Sequence, residues 1–334
     1  SERNRIVELC EEAKRNSKKI NIVRDIKKYK KFDKINIDEI KSKSRAYIKI
    51  QDGCNQFCSY CIIPYARGPI RSRAYDEIIS ETQKLADANF KEIVLTGIHV
   101  ASYGKDLDKL PLIQVIKGIG NIRGIERIRL SSLEPTLIDD DFMKELVDIG
   151  KVCDHFHLSL QSGSNSVLKR MNRKYTKELY REKVDIIRKY MPDAGLTTDI
   201  IVGFPGETEE EFNETYNFVK DILFSRIHVF KYSPRKGTPA AKYENQIDGN
   251  IKGNRSDMLI NLGNELTRKF NEKFINKNLD VLFEEVNNDI ENSYEGYTNN
   301  YIRTRVISDN PIIGEIKNVK IVNSAGELLI GSIE

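Results

Sequence analysis

Between residues 46 and 232 strand-like and helix-like runs take turns, and this regularity limits the fold more than any other feature of the sequence. Strand-like runs occupy Ala46–Gln51, Glu92–Thr96, Arg127–Ser132, His155–Leu160, Leu196–Val202 and Arg226–Tyr232. Helix-period runs fall between them, at Tyr75–Ala88, Leu112–Gly118, Asp140–Ile149, Val167–Met171 with Lys177–Tyr190, and Glu209–Ile222. Such alternation predicts parallel strands joined by right-handed crossovers. Six units are too few to close an eightfold barrel, so the expected α/β fold is an incomplete (β/α)6 barrel. Its ligands should sit at the carboxyl ends of the strands.

The first strand runs into Gly53-Cys-Asn-Gln-Phe-Cys-Ser-Tyr-Cys-Ile62. Cys54, Cys58 and Cys61 therefore follow a Cys-x3-Cys-x2-Cys spacing on one loop, and Gly53 gives that loop backbone freedom. A structural zinc site closes its tetrahedron with four protein ligands. Three cysteines on a four-iron cluster instead leave one iron open to a further ligand. The alternative is a zinc knuckle completed by a distant His or by Cys153, in a non-catalytic zinc and RNA-binding module. Five cysteines, three of them clustered, argue for metal chemistry in a reducing compartment and against a disulfide framework. Cys10 falls in an amphipathic helical pattern and Cys153 just before a strand, and both read as packed thiols. No apolar run is long enough to span a bilayer, and Ser1–Glu12 has no signal-peptide pattern. The expectation is a cytoplasmic enzyme without a membrane partner.

Polar or small residues close one strand after another. The second strand ends in Thr96, Gly97 and Ile98, and the third runs into Ser132 and Glu134. The fourth ends in Gln161 and Ser162, and the fifth in Gly203 of a Gly-Phe-Pro-Gly turn. That turn taken alone is also simply a turn. Together with the three-cysteine loop, these strand ends resemble the radical S-adenosylmethionine (SAM) enzymes. The resemblance implies a 4Fe-4S cluster held by Cys54, Cys58 and Cys61, with SAM on its unique iron. It places Tyr60, the aromatic residue before the third cysteine, near the adenine. It gives Thr96, Gly97 and Ile98 to the SAM amino group, Ser132 and Glu134 to the ribose or the amine, Gln161 to the cofactor, and the Gly203 turn to the surroundings of the adenine.

Further strings narrow the resemblance: Cys61-Ile-Ile-Pro-Tyr-Ala-Arg-Gly68, Arg71-Ser-Arg73, Leu168-Lys-Arg-Met-Asn-Arg-Lys-Tyr175 and Tyr232-Ser-Pro-Arg-Lys-Gly-Thr-Pro-Ala-Ala241. They are similar to the methylthiotransferases. Three branches of that family act on isopentenyladenosine in tRNA, on a ribosomal protein, and on N6-threonylcarbamoyladenosine in tRNA, 3′ of the anticodon. Thr96-Gly-Ile-His-Val, Pro64-Tyr-Ala-Arg-Gly and His228-Val-Phe-Lys-Tyr most resemble the third. The implied partners are tRNA and an electron donor such as flavodoxin or ferredoxin. Arg67 and Arg71 are candidates to meet substrate phosphate or carboxylate, or else to brace the cluster loop.

Short strand-like runs from Leu279 onward predict a small all-β barrel, OB-like and similar to the TRAM domain of this family. Tyr301 and Arg303 are its candidate RNA contacts, or else cover a small barrel. The expected organisation is therefore 1–43 as remnant and linker, 44–272 as radical SAM core, and 273–334 as TRAM domain. Residues 1–43 carry fourteen Lys/Arg against eight Asp/Glu, densest at Arg24–Lys31, and read as a polyanion contact or a solvated linker. Family members carry a second 4Fe-4S cluster on three cysteines of an N-terminal domain. Only Cys10 precedes Cys54 here. The chain is therefore expected to be truncated, able to cleave SAM and unable to complete sulfur insertion.

Overall fold

A computed structural model describes residues 5–17, 19–22, 25, 26, 29, 32, 44–107 and 110–333. Ser1–Asn4 and most of the stretch 18–43, including much of the basic run Arg24–Lys31, lie outside the described residues. Helix α1, Ile6–Asn16, buries none of its residues, and Cys10 on it is exposed rather than packed.

Six parallel strands form the core: β1 (Arg45–Asp52), β3 (Glu92–Gly97), β4 (Arg127–Leu130), β5 (His155–His157), β6 (Gly195–Val202) and β7 (Arg226–Lys231). β2 (Arg71–Ser72) adds an antiparallel edge to β1. The wall is not continuous. Ladders run β2-β1-β3-β4 and β5-β6-β7, and only the isolated bridges Ile128–Val152 and Leu133–Leu158 join the two sheets. The fourth strand is shorter than its sequence pattern: past His157, Leu158 and Gln161 hold only isolated bridges, and Gln161 has φ of 69°. The result is the expected incomplete barrel, open between β1 and β7.

Side chains alternate across this wall. Ile48, Ile50, Ile93, Leu95, Ile128, Leu130, Ile200 and Val202 point outward and are buried under the helices. Those helices are α3 (Tyr75–Asp87), α4 (Leu112–Gly120), α5 (Asp140–Ile149), α6 (Asn165–Arg170), α7 (Lys177–Tyr190) and α8 (Glu209–Ile222), after the short α2 (Ile63–Arg67). Their starts are set by side chains. Asp139 caps α5, Thr176 caps α7, and Thr208 with Glu211 forms a capping box on α8.

The sequence reading missed α9, Gly249–Glu272, whose weak amphipathic pattern hides a long helix. Its last turn sends Phe270, followed by Phe274, into the core of a closed five-stranded barrel. That barrel comprises β8 (Asn278–Asn287), β9 (Ser293–Thr298), β10 (Arg303–Ile307), β11 (Ile316–Ala325) and β12 (Leu328–Ile333), in the order β10-β12-β11-β8-β9.

The small barrel docks on the amino ends of the core strands, away from the cysteine loop. Glu92, buried at the start of β3, accepts from Arg129 at 2.7 and 3.2 Å and lies 3.8 Å from both Arg45 and Arg127. Those arginines reach across: Arg127 donates to the Tyr297 and Asp280 carbonyls, Arg129 to those of Asn299 and Thr298, and Arg45 pairs with Glu284. No helix among the described residues is long and apolar enough to cross a membrane.

Candidate cofactor site

Gly53 follows β1 at φ of 73°, and a Cβ there would lie 1.9 Å from the Pro69 carbonyl oxygen. Only glycine lets the two arms of the cysteine loop approach this closely. The loop is then tied on every side. Cys54 N–H donates to the Gly68 carbonyl and the Gln51 amide to that of Gly53, at 2.7 Å. Ser59 N–H donates to the Met171 carbonyl, while the Ser59 carbonyl accepts from Ala240 N–H.

The three thiols line one recess of about 150 Å³. Tyr60, Ile98, Ser132 and Glu134, all read from the sequence, line it too. So do Gln56, His99, Ser159 and Arg173, which the sequence reading did not single out. Arg173 donates to Cys58 Sγ at 3.3 Å, and Gln56 N–H approaches Cys54 Sγ at 3.5 Å. Burial pushes the Cys54 and Cys61 thiols up.

Glu134 faces the thiols with its carboxylate half used. Oε2 accepts from Gln56 at 2.7 Å and meets His99 Nε2 at 2.9 Å. Oε1 is buried without a hydrogen bond among the described residues, 3.7 Å from Arg173. Burial raises this carboxyl, but the His99 bond and the nearby cations outweigh it and hold the pKa below the ordinary value. An ionised, half-satisfied carboxylate beside three thiols points to a ligand donor missing from the protein itself.

These residues fit a 4Fe-4S cluster with SAM beside it: three soft sulfur donors on one loop, an open fourth side, and an orphaned acceptor across the recess. Among the described residues no three His, Cys, Asp or Glu side chains gather as they would around a single metal ion.

The other sequence candidates fall elsewhere. Thr96 donates to the Ile48 carbonyl at 3.3 Å. A Cβ on Gly97 would meet Gln51 and Val100 at 3.0 and 3.1 Å, so this glycine makes room for the Gln51 loop brace. Gln161 carries the isolated bridge to Ile200, and Gly203 donates to Glu207 at 2.7 Å. None of these four lines the recess. Tyr60 packs edge-on to Phe204, and burial raises its hydroxyl pKa.

The candidate RNA contacts divide between the two alternatives read for them. Arg71 is buried, donating to the Arg67 and Pro69 carbonyls and lying 3.5 Å from Asp52, so it braces the loop and offers nothing to phosphate. Arg67 ends α2 and supplies one of those carbonyls. Tyr301, 36% exposed, stacks on Tyr297 at 4.8 Å and meets His155 at a tilt, 4.7 Å between ring centres, with Arg129 over its ring. Arg303 is held by Glu285 and Glu295.

The radical SAM superfamily model matches residues 48–219. Threonylcarbamoyladenosine tRNA methylthiotransferase MtaB of Bacillus subtilis is 43% identical over 308 residues, covering 91% of this chain and 68% of that protein. A tRNA-2-methylthio-N(6)-dimethylallyladenosine synthase of Clostridium botulinum is 41% identical over 292 residues, covering 87% and 65%. This chain thus spans about two thirds of the length of these relatives. Among solved structures, coproporphyrinogen III oxidase of Escherichia coli superposes with a TM-score of 0.51 at 15% identity, over 77% of this chain and 67% of that one. A radical SAM methyltransferase of Kitasatospora setae gives 0.50 at 17%, over 58% and 35%. These two show a common fold.

Proposed function

This chain belongs to the radical SAM superfamily and, within it, to the tRNA methylthiotransferases, and from that premise we propose that it serves the 2-methylthiolation of N6-threonylcarbamoyladenosine in tRNA. The observation that carries the reading is the recess in which three thiols face the orphaned Glu134 oxygen.

Cys54, Cys58 and Cys61 would hold the 4Fe-4S cluster. When bound, that cluster supplies an electron, received from a donor of the flavodoxin or ferredoxin kind, for reductive cleavage of SAM. The chain's own residues bind, orient and exclude water. Glu134 Oε1 would accept from the SAM ammonium or a ribose hydroxyl. His99 and Gln56 keep that carboxylate aimed by occupying its other oxygen. Arg173 places a positive charge and an N–H donor beside Cys58 Sγ. Tyr60 and Ile98 supply the apolar walls that keep water off.

The test is nucleoside analysis of tRNA from cells lacking the gene that encodes this chain. The expected result is N6-threonylcarbamoyladenosine that accumulates without its 2-methylthio form. Unchanged 2-methylthio-threonylcarbamoyladenosine overturns the reading. Loss of the methylthio group from isopentenyladenosine instead would move the chain to that branch.

A further inference from the structure

Below the recess the concave face of the open barrel carries an array that the cofactor site does not use. In a parallel sheet, paired residues point to the same side. Thr197 pairs with His157 and Arg226, and Asp199 pairs with His228. Their neighbours Thr198 and Ile200 are buried outward under the helices, so Thr197, Asp199, His157 and His228 face the lumen.

There they form a connected set. Asp199 Oδ2 lies 3.3 Å from His157 Nε2, and Asp199 Oδ1 lies 3.4 Å from His228 Nδ1. His157 Nδ1 meets the Thr197 hydroxyl at 3.0 Å, and that hydroxyl meets His155 at 3.1 Å. His157 stands two residues before Ser159 of the recess wall, so at most about 7 Å of extended chain separates them. That is the scale on which a purine substituent lies from a ring carbon reacting above it.

The array has capacity to spare. A carboxylate offers about four acceptor sites, and the two imidazoles use two. The Asp199 side chain is 30% exposed and that of His228 48%. His228 Nε2 has no hydrogen bond among the described residues. Burial raises the Asp199 carboxyl, yet the two imidazoles outweigh it and hold its pKa far below the ordinary range, so it stays an anion.

An apolar substituent pressed onto this array would strip water from an anion and a ring nitrogen and replace none of their hydrogen bonds. A ureido substituent bearing a hydroxyl and a carboxylate replaces them. We propose that His157, Asp199 and His228 read the polar group on N6 of the target adenine. Asp199 accepts from its N–H donors, and His228 Nε2, with Nδ1 turned to Asp199, accepts from its hydroxyl. The proposal rests on the substrate reading above and adds the residues that select it.

The test measures binding, not turnover. Anticodon stem-loop RNAs bearing N6-threonylcarbamoyladenosine, N6-dimethylallyladenosine or plain adenosine are titrated with this chain by fluorescence anisotropy. Asp199→Asn and His228→Leu are run alongside, with circular dichroism melting to establish that each variant is folded. The wild-type chain should prefer the threonylcarbamoyl RNA about tenfold over the dimethylallyl RNA. Each variant should bring that ratio to within about twofold. A wild-type preference that both folded variants keep overturns the lumen proposal and leaves the substrate reading standing. A wild-type chain with no preference, or one favouring the dimethylallyl RNA, overturns both.

Discussion

Changing Glu92 to Gln tests the electrostatic joint between the two barrels. Glu92 is 1% exposed and faces three guanidiniums, so the substitution removes the one anion they share. Arg45 keeps Glu284, and Arg127 keeps two carbonyls of the small barrel. Arg129 loses its carboxylate partner, retaining the Asn299 and Thr298 carbonyls at 3.2 and 3.3 Å. Breaking a buried pair from one side costs about 3–5 kcal/mol. The surviving carbonyl contacts place this case near the lower end, roughly 3 kcal/mol. With a urea slope of about 2 kcal/mol per molar, the midpoint should fall by about 1.5 M. The chain has no Trp, so unfolding is followed by far-ultraviolet circular dichroism and Tyr fluorescence. The exposed Arg226–Glu327 pair is the control, and Glu327→Gln should change stability by less than about 1 kcal/mol. A Glu92→Gln midpoint within about 0.3 M of wild type would refute the reasoning, because the arginines would then be stabilised without their shared carboxylate.

Gly97→Ala should displace Gln51 and loosen the cysteine loop without touching a thiol, since the new Cβ comes 3.0 Å from that side chain. Iron analysis after anaerobic reconstitution should show lowered occupancy, approaching that of an iron-free Cys58→Ala reference, and full occupancy would sink the idea. Acid stability offers another test through Glu211, whose bonds from Arg170 hold its carboxyl at about 2 against an ordinary 4.5. A depressed carboxyl stabilises the fold above its unfolded value and loses that contribution as pH falls from 4.5 toward 2. Glu211→Gln should therefore melt earlier than wild type at about pH 6, with the gap narrowing near pH 3; a gap independent of pH would show that the carboxylate charge contributes nothing.

Much of this architecture is local in origin and so was legible in the sequence. The βα alternation sets parallel strands and outer helices, because periodicity decides which face of each element is apolar. The three cysteines belong to one loop by spacing alone, and Gly53 marks the turn that closes it. Ile98, Ser132 and Glu134 follow from their positions just after strands, and Tyr60 from its place before the third cysteine. What the sequence could not supply are pairings between distant segments. Arg173 reaches Cys58 across 115 positions, and His99 aims Glu134 across 35. No spacing rule connects such residues. For Arg71 the sequence left phosphate contact and loop bracing open, and only tertiary packing decides for bracing, because the side chain is closed inside the loop against the Arg67 and Pro69 carbonyls. The lumen array is the clearest case. His157, Asp199 and His228 lie on three different strands, and only the parallel register, which sets which side chains share a face, makes them one group.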